Sequence, residues 1–332
     1  MRRLFSITVF ALSCAALPAH AQAPATGPLL LRVPATPRTA ALGNAWVAGR
    51  DQDVLFYNPA QLIGARTGFD LSLIRFGSDG TTTTLGSVYA AGKLSLTLGW
   101  GVQVASYRVD PAAAHPYQPD VLTGSGDASG LSALGSVGGA VLYKGFRIGA
   151  AGKYAVDRVS IAPDPTLPPT SVFLADVGVA RNVLGGVAAF SAQNLGRRTL
   201  APEPDDDDDD EDSGGRGEED DDDDVDVPPT IPRQMLMGWS MTRVAGPLDL
   251  GIYTQVLVRS GWTSPGAGLD VTWSWIEGCF VSLRAGARRP ETTTERPYSF
   301  GGAVTIDRAT VEYSVQFFDE GHHAHGVTFR WR

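Results

Sequence analysis

The sequence predicts an all-β fold: a transmembrane antiparallel β-barrel of about 14 strands with a short N-terminal helical plug. Three observations predict it. Apolar residues recur with a period of two along most of the chain, which sets alternate side chains on opposite faces of a strand. The opposite register carries charge among many Gly, Ala, Ser and Thr residues. The links between strands alternate strictly between short and long, as an even-stranded barrel with short periplasmic turns and long outward loops requires.

From the amino terminus, Arg2 and Arg3 precede an apolar run, Leu4 to Leu12, and Ala19-His20-Ala21 forms a small-x-small cleavage pattern. This predicts an export signal over residues 1–21; the run is shorter than the roughly 20 residues of a membrane helix. Cys14 lies inside that signal and Ala11-Leu12-Ser13 fits a lipoprotein pattern poorly, so Cys279 is the one cysteine expected in the mature chain. No intrachain disulfide follows.

Residues 22–65 break the strand rule and are read as the plug or cap. Ala40, Ala41, Leu42, Ala45, Trp46 and Ala48 favour a short helix over Arg38 to Ala48, interrupted by Gly43. Asn58-Pro59-Ala60-Gln61-Leu62 reads as a second helix start, with an Asn cap and Pro in the first helical position.

Residues 66–332 are read as the barrel. Strands are expected near 67–76, 82–91, 93–109, 130–143, 145–160, 170–181, 183–194, 232–243, 247–260, 267–276, 278–288, 298–307, 309–318 and 324–332. Short turns fall at Gly92, Lys144-Gly145, Asn182, Val244–Gly246, Glu277 and Arg308. Phe146, Ile148, Ala150, Tyr154 and Val156 illustrate the apolar register, and Val311, Tyr313, Val315 and Phe317 repeat it. In lipid an unpaired strand edge costs several kcal/mol per orphan group, so such a sheet must close on itself. Tyr89, Trp100, Tyr107, Tyr143, Tyr154, Trp239, Tyr253, Trp262, Trp273, Trp275, Tyr298 and Trp331 are candidates for aromatic girdles. Arg147, Lys153, Asp157, Asp249, Arg259, Arg284 and Arg288 are expected to face the lumen.

Between Glu203 and Asp226 the chain has 17 acidic residues and one Arg, whereas the whole chain carries a net charge of −9. The remainder is therefore net basic by 7, and the acidity belongs to one segment. A run of like charge repels itself and stays extended, so residues 197–230 are read as a disordered acidic extracellular loop, either a solvated tether or a weak sink for divalent cations or a basic partner. No EF-hand spacing accompanies it. His322, His323 and His325 are read as a surface cluster in the last loop. Neither a basic patch nor a zinc-finger spacing is present, so nucleic acid is not an expected partner. No nucleophile–base pair, metal-ligand spacing or phosphate loop stands out, and the expectation is a non-enzymatic protein with no cofactor and no bound metal.

Arg38-Thr39-Ala40-Ala41-Leu42-Gly43-Asn44-Ala45-Trp46-Val47-Ala48, followed by Asp51 and Asn58-Pro59-Ala60-Gln61-Leu62, resembles the amino-terminal signature of the PorV/PorQ family of outer-membrane proteins, which is related to the FadL-type long-chain fatty-acid transporters. Gln193-Asn194-Leu195-Gly196 and the closing Gly326-Val327-Thr328-Phe329-Arg330-Trp331 resemble further family elements. The chain departs from the pattern in ending at Arg332 rather than an aromatic and in its acidic insertion. The resemblance implies a fourteen-stranded barrel in the bacterial outer membrane whose amino-terminal segment enters or caps the lumen. Two functions follow from it. Some family members support type IX secretion, which implies secretion-system proteins or exported cargo as partners, docked at the outer membrane. The FadL-type relatives move hydrophobic compounds, which implies a channel for small hydrophobic solutes. In both readings outer-membrane lipid surrounds the barrel.

Overall fold

In a computed structural model of the chain, residues 29–76, 80–91, 96–109, 128–161, 170–199, 231, 233–259, 262–291 and 294–332 are described. The residues read as an export signal, and most of those read as the acidic loop, lie outside them. The strands are β1 Gly68–Phe76, β2 Gly80–Ala91, β3 Leu96–Val109, β4 Ala128–Tyr143, β5 Phe146–Ile161, β6 Thr170–Val183, β7 Gly186–Thr199, β8 Gln234–Ala245, β9 Leu248–Arg259, β10 Trp262–Ile276, β11 Cys279–Arg288, β12 Glu295–Ile306, β13 Ala309–Phe318 and β14 His323–Trp331. Each pairs antiparallel with its neighbours in sequence, and β1 meets β14 from Phe69↔Trp331 to Phe76↔Ala324. The sheet is a closed fourteen-stranded barrel, as the sequence predicts.

Burial shows why these strands close with this handedness of faces. Leu71, Leu73, Trp100, Val137, Phe173, Leu283 and Phe329 are exposed, Phe173 to 74%, while Ser72, Asp70, Glu312, Thr328 and Arg330 on the opposite registers are at most 1% exposed. The apolar register points outward and the polar register inward, the inverse of a water-soluble sandwich. No helix among the described residues is long and apolar enough to cross a membrane.

Several expectations are corrected in detail. The first helix, α1, covers only Pro37–Ala41; Thr36 caps it, and the chain turns out of it at Gly43 and Asn44, both with positive φ. Gln52–Phe56, where no helix is expected, forms a 3₁₀ turn, and Pro59–Gly64 is also 3₁₀, with Asn58 capping it by accepting the Ala60 N–H at 3.0 Å. The β6–β7 turn is Leu184-Gly185, not Asn182. Both residues have positive φ, the geometry a two-residue hairpin needs to match strand twist. Asn182 instead lies within β6, its amide oxygen accepting from Arg147 at 3.0 Å. Strand β7 runs on to Thr199, into the span read as loop, and β10 begins at Trp262.

Three girdle candidates point the other way. Tyr107 and Trp262 are 5% and 2% exposed, and Tyr253 packs on Trp46 with ring centroids 5.2 Å apart. His323 and His325 belong to β14, on its outward register, where the Tyr313 hydroxyl and His325 Nδ1 are 2.6 Å apart.

Candidate functional site

Residues 30–65 are buried almost throughout and reach every strand. Helix α1 packs on β11 to β14 and β1, Gln52–Phe56 on β1 to β4, and Pro59–Gly64 on β3 to β6. Asn58 Nδ2 donates to Phe190 O of β7 at 3.3 Å, Ser240 Oγ of β8 donates to Ala48 O at 2.9 Å, and Gln255 Oε1 of β9 accepts from Val47 N at 2.8 Å. On β10, Gly268 lies against Leu42. Only a segment inside a closed barrel can touch the wall all the way round.

Close seating requires small residues in the wall. A Cβ at Gly178 would lie 1.9 Å from Asn58 Oδ1, and one at Gly149 would lie 2.4 Å from Ala60 N. Opposite the α1 exit, a Cβ at Gly286 would stand 2.1 Å from Gly43 N. These inward glycines are sockets for the backbone of the segment. They explain why the polar register is so rich in glycine, a feature legible in the sequence as composition but not as a binding footprint.

Charge fixes the segment more firmly still. Arg38 pairs with Asp51 of its own segment and with Glu312 of β13. Glu312 also contacts Arg330 Nη1 of β14 at 2.9 Å and Arg284 Nη2 of β11 at 3.2 Å. Arg284 Nε donates to Asp270 Oδ2 at 2.9 Å, and Arg330 lies 3.8 Å from Asp70 of β1. Arg332 closes on Asp51 from the turn-side end. Within the segment, Asp53 accepts from Trp46 Nε1 at 2.9 Å and from Thr36 Oγ1 at 2.6 Å. Burial, and next the neighbouring Arg330, lowers the basicity of Arg38. Each buried charge thus has opposite charge at hand, the condition for tolerating it in a dry interior.

The eight residues of the amino-terminal signature all lie in this segment. Arg38 is in the ion network with Asp51; Leu42 is fully buried against Gly268; Gly43 seats between Gly266 and Ala287; Asn58, Pro59 and Ala60 sit on Gly149 and Gly178. Asn44 is half-buried at a positive φ. The seven charges read as luminal fall on inward registers at different heights. Arg284 belongs to the network just described. Lys153 contacts Asp176 at 2.6 Å, and Arg259 contacts Glu291 at 3.1 Å and donates to Gln234 at 2.9 Å. Arg288 pairs with Glu295. Arg147 donates to Gln61 of the segment at 2.7 Å, Asp157 accepts from Ser132, and Asp249 is half-buried near the β8–β9 turn. Asp70, Asp270, Glu312 and Arg330 join them, each a charge on the inward register of its strand.

At the loop-side end the interior changes character. Ile74, Phe76, Tyr107, Leu134, Val172, Leu174 and Phe318 face inward and enclose Leu30, Leu31 and Val33. Between this short strap and the ion-pinned segment below it, Leu134, Leu236, Leu257, Gln103, Gln234 and Gln255 border a cavity of about 50 Å³. That volume suits a few water molecules; an apolar cavity that takes up benzene is about 150 Å³. Among the described residues, Leu30, Leu31 and Val33 fill this end of the lumen. Beside the cavity the wall pairing is shortest: among the described residues β7 pairs with β8 only from Val187↔Ser240 to Gln193↔Gln234, and Leu195–Thr199 of β7 pairs with β6 alone.

Solved structures share this barrel. The toluene transporter TbuX of Ralstonia pickettii is similar at a TM-score of 0.55 and 10% identity, over 90% of this chain and 98% of that one. The P. putida toluene transporter TodX gives 0.54 and 7%, over 88% and 97%. A TodX deltaS2S3 mutant, described as a monoaromatic hydrocarbon channel, gives 0.57 and 10%, over 89% and 98%. At such identities the likeness establishes the barrel fold alone. No family model matches the chain, and no curated protein matches its sequence.

Proposed function

We propose that this chain is a non-enzymatic channel of the bacterial outer membrane that admits small hydrophobic solutes, exported by the signal at residues 1–21 and oriented with the acidic loop 197–230 outside. The observation that carries the reading is the division of the lumen. A fixed, ion-paired segment blocks the turn-side half, while in the loop-side half Leu30, Leu31 and Val33 pack on an apolar wall from β1, β3 to β6, β13 and β14, beside the ion pairs of Arg32, Arg259 and Arg288 with Glu291 and Glu295. An apolar solute entering from the loop side replaces those side chains at little cost, because it buries similar surface. The short β7–β8 pairing beside the cavity offers it a sideways path that leaves the ion network intact. The barrel fold shared with toluene transporters supports the reading. Cargo docking, the first function implied by the PorV/PorQ resemblance, gains no support from the comparisons.

The test uses uptake of radiolabelled toluene by cells that express the chain in their outer membrane. Deleting Leu29–Val33 should raise uptake above that of the intact chain, and the intact chain should exceed an empty-vector control. Uptake equal across all three strains overturns the channel.

A further inference from the structure

The turn-side rim carries one residue that the fold does not require. In the β4–β5 and β6–β7 turns both positions have positive φ, and the first is Lys144 in one but Leu184 in the other. Asn and Asp are the usual choices there, being polar and tolerant of the left-handed region. Leu184 sits at φ 54° and is 78% exposed, so it costs stability through backbone strain and again through apolar contact with water. Such a residue asks for a reason outside the fold. Val183 beside it and Val244 near the end of β8 are exposed as well.

Guanidinium groups ring this tip. Arg181 of β6, on the outward register, lies over the Phe146 ring at 4.7 Å. Arg243 of β8, also outward, approaches from the other side, its Nη2 3.8 Å from where a Cβ of Gly185 would stand. Arg147 of β5, on the inward register, donates to Asn182 at 3.0 Å. The turns joining these strands are described throughout. No Asp or Glu occurs in residues 140–152, 177–190 or 237–248, which supply the turn-side ends of β4 to β8, nor in residues 92–95 between β2 and β3. The next acid, Asp249, lies opposite Val244 on the inward register.

We infer that the rim around Leu184 docks a periplasmic protein that presents carboxylates round an apolar hollow. This rests on the membrane reading above, with the turns facing the periplasm, and not on the solute carried. An apolar anchor ringed by arginines has the composition of a binding hot spot, and acids on the partner supply the complementary charge. Lipid fits less well. A headgroup in the periplasmic leaflet reaches Arg181 and Arg243, whereas Arg147 faces the lumen side and Leu184 lies beyond the ends of both strands. A partner seated beneath the rim touches all four.

The experiment places a photoreactive benzoylphenylalanine at position 184 of the full chain and irradiates intact cells of the native host, with position 277 in the β10–β11 turn as control. The expected product from position 184 is one protein adduct that position 277 does not give. The captured protein, purified, should bind the intact chain in detergent, more weakly as salt is added. R181Q/R243Q should weaken that binding roughly tenfold; both arginines point away from the lumen, and unchanged heat-modifiable gel mobility verifies that the barrel has folded. L184N should also weaken it roughly tenfold, while its urea midpoint for unfolding stays at or above that of the intact chain, because Asn-Gly suits this turn. Adducts with phospholipid alone, no adduct, or binding indifferent to the two arginines overturns the proposal. A lower midpoint for L184N does so too, since Leu184 would then serve the fold. No solute enters any readout, so failure here is separate from failure of the channel.

Discussion

The two halves of the amino-terminal segment are held by opposite kinds of force. From Pro37 to Gly64 the contacts are directional: buried ion pairs to Glu312 and Asp51, amide bonds to Gln255 and Ser240, and glycine sockets that accept the backbone at one position only. From Leu30 to Val33 the side chains are mainly apolar, with Arg32 reaching Glu291 at 3.8 Å. Directional contacts fix a register, since a small displacement leaves charges buried and unpaired. Apolar contacts are interchangeable with any surface of similar shape. The difference separates a permanent floor from a replaceable occupant within one short stretch of chain.

The sharpest way to break that distinction is at the floor. Glu312→Leu leaves Arg38, Arg284 and Arg330 buried without their shared partner, and should cost about 3–5 kcal/mol, read as a lower urea midpoint for unfolding from lipid vesicles. An unchanged midpoint would mean that the ion network does not hold the segment. Next comes the socket. Gly178→Leu places a side chain where Asn58 sits and should cost about 1–3 kcal/mol of overpacking, with new protease cleavage between residues 58 and 65 in the folded barrel. A protected segment would argue that the sockets are incidental.

The strap should respond differently. Replacing both Leu30 and Leu31 with Ser removes roughly 1.5–3 kcal/mol of burial per residue, yet this loss is local. Toluene uptake should rise while the urea midpoint holds; a fall in midpoint as large as that of Glu312→Leu would erase the contrast between the halves. The smallest effect belongs to the joint between them. The Tyr57 hydroxyl accepts the Ala35 N–H at 2.7 Å, so Tyr57→Phe should cost about 1 kcal/mol, seen as faster amide exchange at Ala35 alone.

Strand order and count were legible because the outward register is apolar for long stretches, and a period of two survives local noise. Tyr107 shows where that reasoning had more to give. Trp100, Val102 and Val104 lie on the outward register of β3, so Tyr107 falls on the inward one by parity alone. Aromatic identity outweighed register, and the residue faces Leu30 and Leu31 instead of lipid. The ion network was hidden for another reason. Arg38 and Glu312 are 274 positions apart, and no local pattern links a plug residue to a strand near the far end. What the sequence does hold is the pair of marks each wall strand carries, a charge or a glycine on the register where its neighbours are small and uncharged.

The glycine sockets bear on how such a protein can be altered. Because Gly149 and Gly178 lie against Asn58, Pro59 and Ala60, and Gly286 against Ala41, Leu42 and Gly43, wall and insert form a key and its wards. Splicing in another protein's amino terminus, even one bearing the same signature, would jam unless the matching notches travelled with it. Lineages of this barrel must therefore change lock and key in step.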